Sequence, residues 1–396
     1  MIRTAAVATV NTDFKNVVVR KRAALSTDYW LVGALLALLA IGIVLVASAS
    51  ITIADRQYGE PLHFLYRHVM FTALGVGLGL AAASLPLQRW QALAPVLLLV
   101  AGVLLVAVLV PGVGHVVNGS RRWIGFGGLN FQPSELMKLC MVVFMAAYLA
   151  RHADAVRTTL QGFGKPLLLL LVVAGLLMLE PDFGSTAVLA ATVLGLLFLA
   201  GMRLWPFALL AGVIGAGLVT LALTAPYRLE RLTSFMNPWA DPFNSGFQLT
   251  QALIAFGRGG WFGVGLGGSV QKLNYLPEAH TDFVFAVLAE ELGLIGSVLV
   301  IGLFALVIAR AWLIAARAER SGNAFAAYLA YGVALWLGLQ ALVNIGVNMG
   351  VLPTKGLTLP LLSYGGSSQV ITLVACALLL RADYETRDAR RGRANV

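Results

Sequence analysis

Residues 30–51 read WLVGALLALLAIGIVLVASASI, an apolar run without a single charged side chain. Coiled as a helix, a run of about 20 residues covers the roughly 30 Å hydrocarbon core of a bilayer. Lipid offers backbone amides no partner, so such a run must close its hydrogen bonds within itself as a helix. Working outward, comparable runs recur at residues 68–84, 91–110, 134–150, 166–179, 184–201, 206–225, 283–309, 326–349 and 362–380. The expected fold is therefore all-α, a polytopic membrane protein with a bundle of ten transmembrane helices. The run at 166–179 is short and meets Glu180-Pro181-Asp182-Phe183-Gly184, a helix-breaking stretch that can dip into the bundle.

Composition excludes the soluble classes. Of 396 residues, 59% are hydrophobic and only 12% charged, with a mean hydropathy of +0.85, against about 25% charged in ordinary soluble domains. A net charge of +10 would point to nucleic acid in a soluble protein. Here the cations sit at the edges of apolar runs, where they set orientation, so no nucleic-acid partner is expected. Cys140 and Cys376 lie far apart inside apolar runs and read as small hydrophobes.

Sorting the 28 Lys and Arg by this frame places Arg3, Lys15, Arg20, Lys21, Arg22, Arg89, Arg151, Arg157, Lys165, Arg203, Arg310, Arg317, Arg320 and five arginines of the C-terminal segment on one side. That majority makes both termini cytoplasmic. It divides the chain into a cytoplasmic tail (1–28), a membrane domain (29–381) and a basic cytoplasmic tail (382–396). A large extracytoplasmic loop, 226–282, lies between spans seven and eight, and its length and richness in Gly, Pro, Asn and aromatics mark it for function.

Several charged groups stand where lipid disfavours them. In Gln132-Pro133-Ser134-Glu135-Leu136-Met137-Lys138, Pro133 and Ser134 start a helix on which Glu135 and Lys138 lie three residues apart on one face. An ionisable group at that depth costs about 2.5–3.5 kcal/mol on insertion scales, so it faces the bundle interior or a wet cavity. A structural ion pair and a direct catalytic role both fit. In Leu276-Pro277-Glu278-Ala279-His280-Thr281-Asp282-Phe283, Thr281 or Asp282 can cap the next helix. Capping does not explain the crowding of Glu278, His280 and Asp282, and a half-buried carboxylate at a membrane mouth has the proton affinity a general base needs. Glu290 and Glu291 follow on the same helix, open to either proton transfer or interhelical hydrogen bonding. The outer segments add Arg121, Arg122, Arg228, Arg231, Arg258, Lys272 and Lys355, a concentration of cations that favours a phosphate-bearing substrate. Ser363-Tyr364-Gly365-Gly366-Ser367-Ser368 opens the last span with hydroxyls and close backbone approach, or simply lets helices pack. Gly263–Gly268 formally satisfies a dinucleotide fingerprint, but no strand precedes it. The five histidines show no metal-ligand spacing.

These segments, with Asn118-Gly119-Ser120-Arg121-Arg122-Trp123, Pro181-Asp182-Phe183-Gly184-Ser185 and Asn344-Ile345-Gly346 onward, resemble the SEDS family of shape, elongation, division and sporulation proteins over residues 25–383. Asn348-Met349-Gly350 with Leu352-Pro353-Thr354-Lys355-Gly356 is more similar to the family's division member than to its elongation member. The resemblance implies an inverting peptidoglycan glycosyltransferase that polymerises lipid II outside the bacterial cytoplasmic membrane at the division septum. The implied partners are a class B penicillin-binding protein of the FtsI type, other divisome membrane proteins and membrane lipids. It makes Asp282 the essential aspartate and Glu135 with Lys138 the intramembrane pair. It makes Arg122 and Lys355 important outer cations and Asp182 the aspartate of Pro-Asp-Phe-Gly. Added to the residue-level reading, it gives Asp282, Glu135 and Lys138 as expected catalytic residues. Arg121, Arg122, Gln132, Ser134, Asp182, Arg258, Glu278, His280, Lys355, Ser363, Tyr364 and Ser367 are the expected substrate-binding residues, with a divalent cation, magnesium or manganese, as an optional helper at the diphosphate. A lipid flippase, drawing on Glu135, Lys138, Glu290 and Glu291, and a non-catalytic scaffold are the rival expectations.

Overall fold

The computed structural model describes residues 28–394 apart from 118–119, 127–128, 224–234, 245, 274 and 354–355. Arg228, Arg231, Lys355 and most of the expected N-terminal tail lie outside the described residues. The architecture is the expected helical bundle. Its helices are α1 (Tyr29–Tyr58), α2 (His63–Ser84), α3 (Leu87–Leu109), α4 (Pro133–Thr158), α5 (Leu160–Leu179), α6 (Phe183–Leu199), α7 (Leu204–Leu223), α8 (Phe247–Gly259), α9 (Val284–Arg320), α10 (Ala324–Asn348) and α11 (Gly366–Ala394). Eight of them are long and apolar enough to cross a membrane: α1 to α5 and α9 to α11. α6, with 17 residues, and α7 coincide with the other two expected spans.

Local chemistry fixes the helix starts. The side chains of Asp28, Thr159, Asp182 and Asn323 accept N–H groups of the first turns of α1, α5, α6 and α10, and Pro133 opens α4 where its missing N–H costs nothing. The faces turned outward are apolar: Leu99, Leu168 and Leu209 are well over half exposed, a surface stable only against lipid. The inner faces meet closely through small residues. A Cβ on Gly75 of α2 would lie 2.6 Å from Leu373 of α11, and one on Gly79 would lie 3.1 Å from Ala377, so these glycines set how near the two helices approach.

Three features depart from the sequence expectations. Residues 111–133 form an antiparallel sheet, β1 (Gly114–Val117), β2 (Ser120–Phe126) and β3 (Leu129–Phe131), with Ile124 opposite both Gly114 and Phe131. The expected long loop holds α8 and a 3-10 turn at Pro238–Ala240. α11 continues through 382–394, so this part of the expected tail is helical. α9 continues past the expected span to Arg320. It is broken at Gly293, whose φ of 66° lies in the left-handed region.

Candidate active site

At the end of the bundle that carries the sheet, a cavity of about 970 Å³ opens between α2, β2, β3, α4, α6 and the starts of α9 and α11. Asp282 lies on its wall, half-buried, just before α9. It is not the helix cap: Phe283 occupies that position and no side chain caps the helix. Instead α10 grips the backbone. The Asp282 carbonyl accepts from Asn344 Nδ2 (2.9 Å) and Asn348 Nδ2 (3.0 Å), while Asn348 Oδ1 accepts from the Ala286 N–H (3.1 Å). The carboxylate faces Gly356, where a Cβ would stand 3.2 Å from Oδ2, so the glycine keeps that approach open.

Glu135 and Lys138 pair as the spacing requires, at 2.9 Å, and both are buried. Lys138 Nζ also donates to Gln340 Oε1 (2.8 Å), which accepts from Trp336 Nε1, and the ammonium lies 5.5 Å from the Trp336 ring centroid. Gln340 Nε2 in turn donates to the Thr358 carbonyl. Only Glu135 lines the cavity. Lys138, 1% exposed, stands behind it, paired with the Glu135 carboxylate.

Successive residues of a strand point to opposite faces, and this separates Arg121 from Arg122. Arg121 turns away, with Nη1 on the Leu109 carbonyl, whereas Arg122 lines the cavity and holds the Glu180 and Pro181 carbonyls at 2.9 and 2.6 Å. Asp182 caps α6 with one oxygen and accepts from Ser134 Oγ (3.0 Å) and Gln132 Nε2 (3.4 Å) with the other. Ser367 Oγ accepts the Gln132 N–H, which ties α11 to the start of α4. Ser363 stays below the surface, accepting the Leu359 N–H. Arg258 lies outside the cavity and pairs with Glu290 at 3.6 Å.

On the opposite wall, His280 packs against Phe64 and Tyr364, with ring centroids 4.6 and 5.6 Å away. Burial holds its imidazole below the ordinary value, so it is neutral at pH 7, with the Glu278 charge opposing. Glu278 is exposed and hydrogen-bonds Thr281 Oγ1 at 2.7 Å. Arg67, from the second turn of α2, also lines this wall. Arg67, Asn344, Asn348 and Gln340 were not among the expected site residues. The last three had a readable signal, since residues 340, 344 and 348 recur at four-residue spacing on an otherwise apolar helix and so share one face.

Among the described residues, no three His, Cys, Asp or Glu side chains converge to hold a metal ion. Among these residues the expected divalent cation thus finds no ready protein cage. The cavity instead offers one backbone-anchored carboxylate, one buried pair with a carboxylate facing inward, and two arginines on different walls. Such a set can accept a proton and neutralise an anion.

Known proteins resemble this chain in sequence and in fold. A curated protein of Coxiella burnetii, named probable peptidoglycan glycosyltransferase FtsW, is 56% identical over 92% of this chain and 98% of its own length. Its namesake in Legionella pneumophila is 51% identical over 91% of each chain. Among solved structures, one chain of a peptidoglycan synthase complex that coordinates polymerisation and crosslinking superposes with a TM-score of 0.75 at 34% identity, covering 92% of this chain and 99% of that one. The rod shape-determining protein RodA of Thermus thermophilus gives 0.67 at 32%, covering 92% and 98%. The family model described as cell cycle protein matches residues 29–388, and the chain thus belongs to the family of FtsW, RodA and SpoVE.

Proposed function

We propose that this protein is a peptidoglycan glycosyltransferase that polymerises lipid II at the outer face of the bacterial cytoplasmic membrane during septal wall synthesis. One observation carries the reading: Asp282, half-buried and held through its carbonyl by two asparagines of α10, faces a cavity large enough for sugars. Asp282 takes the proton of an acceptor sugar hydroxyl as that oxygen bonds to the donor's anomeric carbon. The bond from this carbon to the lipid diphosphate breaks, and its electron pair leaves with the phosphate oxygen. Direct displacement of this kind inverts an α-linked donor to a β-linked polymer and needs no covalent intermediate. The diphosphate leaves as an anion, and among the described residues Arg122 and Arg67 are the cavity cations that neutralise it. Gln132, Asp182, His280, Tyr364 and Ser367 shape the sugar site, and the lipid tails lie in grooves between the spans.

A class B penicillin-binding protein is the proposed partner, supported by the similarity to a chain of a complex that couples polymerisation to crosslinking. Both termini are proposed to be cytoplasmic, with 29–381 as the membrane domain. The flippase reading loses its main support, because Glu290 and Glu291 are engaged by the outer loop instead of lining a path.

Polymerisation of fluorescent lipid II by purified protein, alone and with the class B partner, tests the proposal. Asp282→Ala should lower the rate by about 10²–10⁴-fold, the usual contribution of a general base, with its melting temperature unchanged. A variant as active as wild type sinks the enzyme reading. Transbilayer movement of lipid II without polymer in any wild-type mixture sinks it in favour of transport.

A further inference from the structure

The break in α9 is bridged by the loop that leads to Asp282. At Gly293 the helix loses its internal bonds, and the freed groups are taken up from outside. The Glu290 and Glu291 carbonyls accept from Val264 and Gly265 N–H (3.0 and 3.1 Å), and the Leu294 and Ile295 N–H groups donate to Gly260 and Trp261 carbonyls (2.9 and 3.2 Å). Only glycines allow so close a contact: a Cβ on Gly263 would stand 2.1 Å from the Glu291 carbonyl oxygen, and one on Gly259 would stand 1.9 Å from that of Ala289.

The two carboxylates fasten the next stretch. Glu290, fully buried, accepts from Ser269 Oγ and from the N–H groups of Val270 (3.1 Å) and Gln271 (3.3 Å). Glu291, equally buried, pairs with Lys272 at 2.7 Å, and both bond Ser48 of α1 at 2.7 Å. From Lys272 the chain runs to Asp282 over Leu276 and Ala279, which pack with Phe283, Ala286 and Val287. Two buried carboxyl groups on one helix thus hold four consecutive residues of the loop whose end carries Asp282.

We propose that Glu290 and Glu291 are positioning residues, which clamp the 269–272 segment to α9 and so fix Asp282 at the cavity wall. The pairing of Glu291 with Lys272 makes the clamp a desolvated ion pair, whose single-sided loss is worse than its removal as a whole. The proposal gives the family's activity a structural control remote from the substrate. It rests on the glycosyltransferase reading only for its effect on rate.

The test uses full-length protein carrying Glu291→Gln, Lys272→Met, both changes together, Lys272→Arg, or Glu290→Gln. Hydrogen exchange reads the clamp whether or not polymer forms. Amides 269–283 should exchange faster in Glu290→Gln and in each single-sided loss of the Glu291–Lys272 pair, with α2, α4 and α10 unchanged, and Lys272→Arg should restore protection. Polymerisation should show a fall in kcat of about 10²-fold, the cost of a misplaced group, with KM for lipid II within about twofold of wild type. The double variant should lose less than the sum of the two singles. Unchanged exchange in both glutamate variants overturns the clamp. Faster exchange with wild-type kcat overturns the positioning of Asp282. A wild type that makes no polymer removes the glycosyltransferase reading and the kcat effect with it, while the exchange data still decide the clamp.

Discussion

Glu180 shows how much one residue's surroundings decide. It is fully buried in the turn between α5 and α6, and neither carboxylate oxygen has a hydrogen-bond partner among the described residues. Burial, reinforced by the Asp182 charge and opposed by Arg122, pushes its carboxyl up to about 8. Because the folded protein binds this proton more tightly than the unfolded chain, its contribution to stability is complete below the usual carboxylate range and is lost as pH rises toward 8. The melting temperature in detergent should therefore fall between pH 5 and 8 in wild type and fall less in Glu180→Gln, which mimics the protonated acid. Identical profiles would show that Glu180 is ionised in the fold. The family resemblance marked Asp182 in this turn and left Glu180 without a role; the helix-breaking stretch was expected to dip into the bundle, but only packing shows how completely this carboxyl is buried. The crowding of Glu278, His280 and Asp282 was legible, since three polar groups at a span's mouth needed a reason. Arg258 misled, because a cation on a loop gives no hint that a glutamate two helical turns into the next span will take it.

At the level of elements, α4 and α10 are joined by polar groups that a soluble core would rarely bury. Glu135→Ala leaves the Lys138 ammonium in the bundle without a counter-charge beside Gln340 and the Trp336 ring, and breaking a buried pair this way costs about 3–5 kcal/mol. Replacing both by apolar residues of similar volume should instead be neutral or stabilising relative to wild type, by up to about 4 kcal/mol. Thermal unfolding of the two variants separates the effects: if both melt alike, the pair matters little for folding. Activity then reports Glu135 itself, whose carboxylate faces the cavity. The junction of α9 with the 259–265 loop gives a second expectation. Gly293→Ala would need a left-handed backbone and would set a Cβ 2.4 Å from the Gly263 nitrogen, so it should destabilise by about 1–3 kcal/mol or more, read as a lowered melting temperature. Helices were the most legible level, because apolar length alone dictates them in lipid. The sheet at 114–131 was not, since three short strands carry only a weak alternating signal and are bounded by glycines that read as loop. The break at Gly293 was hidden for the same reason: one glycine among the many of a membrane helix has no distinguishing pattern before its neighbour is known.

Across the whole molecule, polar structure gathers at opposite ends of the bundle. One end holds the cavity. At the other, Asp28 is fully buried and meets Arg310 (Nη2 to Oδ2, 2.5 Å), Arg317 (3.8 Å) and Arg387 (3.5 Å), while Asp383 joins Arg317 and Arg387. The starts and ends of α1, α9 and α11 are thereby tied together. Burial alone would raise the Asp28 carboxyl, but the Arg310 hydrogen bonds and the neighbouring guanidinium charges outweigh it and hold the carboxyl below its ordinary value. Under the proposed orientation this arginine knot lies in the cytoplasm and the cavity outside, the arrangement that the charge bias of membrane helices favours. That orientation predicts the loop between α1 and α2 outside and the α2–α3 turn inside. With the buried Cys140 and Cys376 changed to Ser, a cysteine replacing Glu60 should react with a membrane-impermeant maleimide in intact spheroplasts. One replacing Ser84 should react only after permeabilisation. The reverse pattern would put the cavity in the cytoplasm, where a lipid-linked sugar polymer destined for the wall cannot be assembled, and the proposed activity would fall with the orientation.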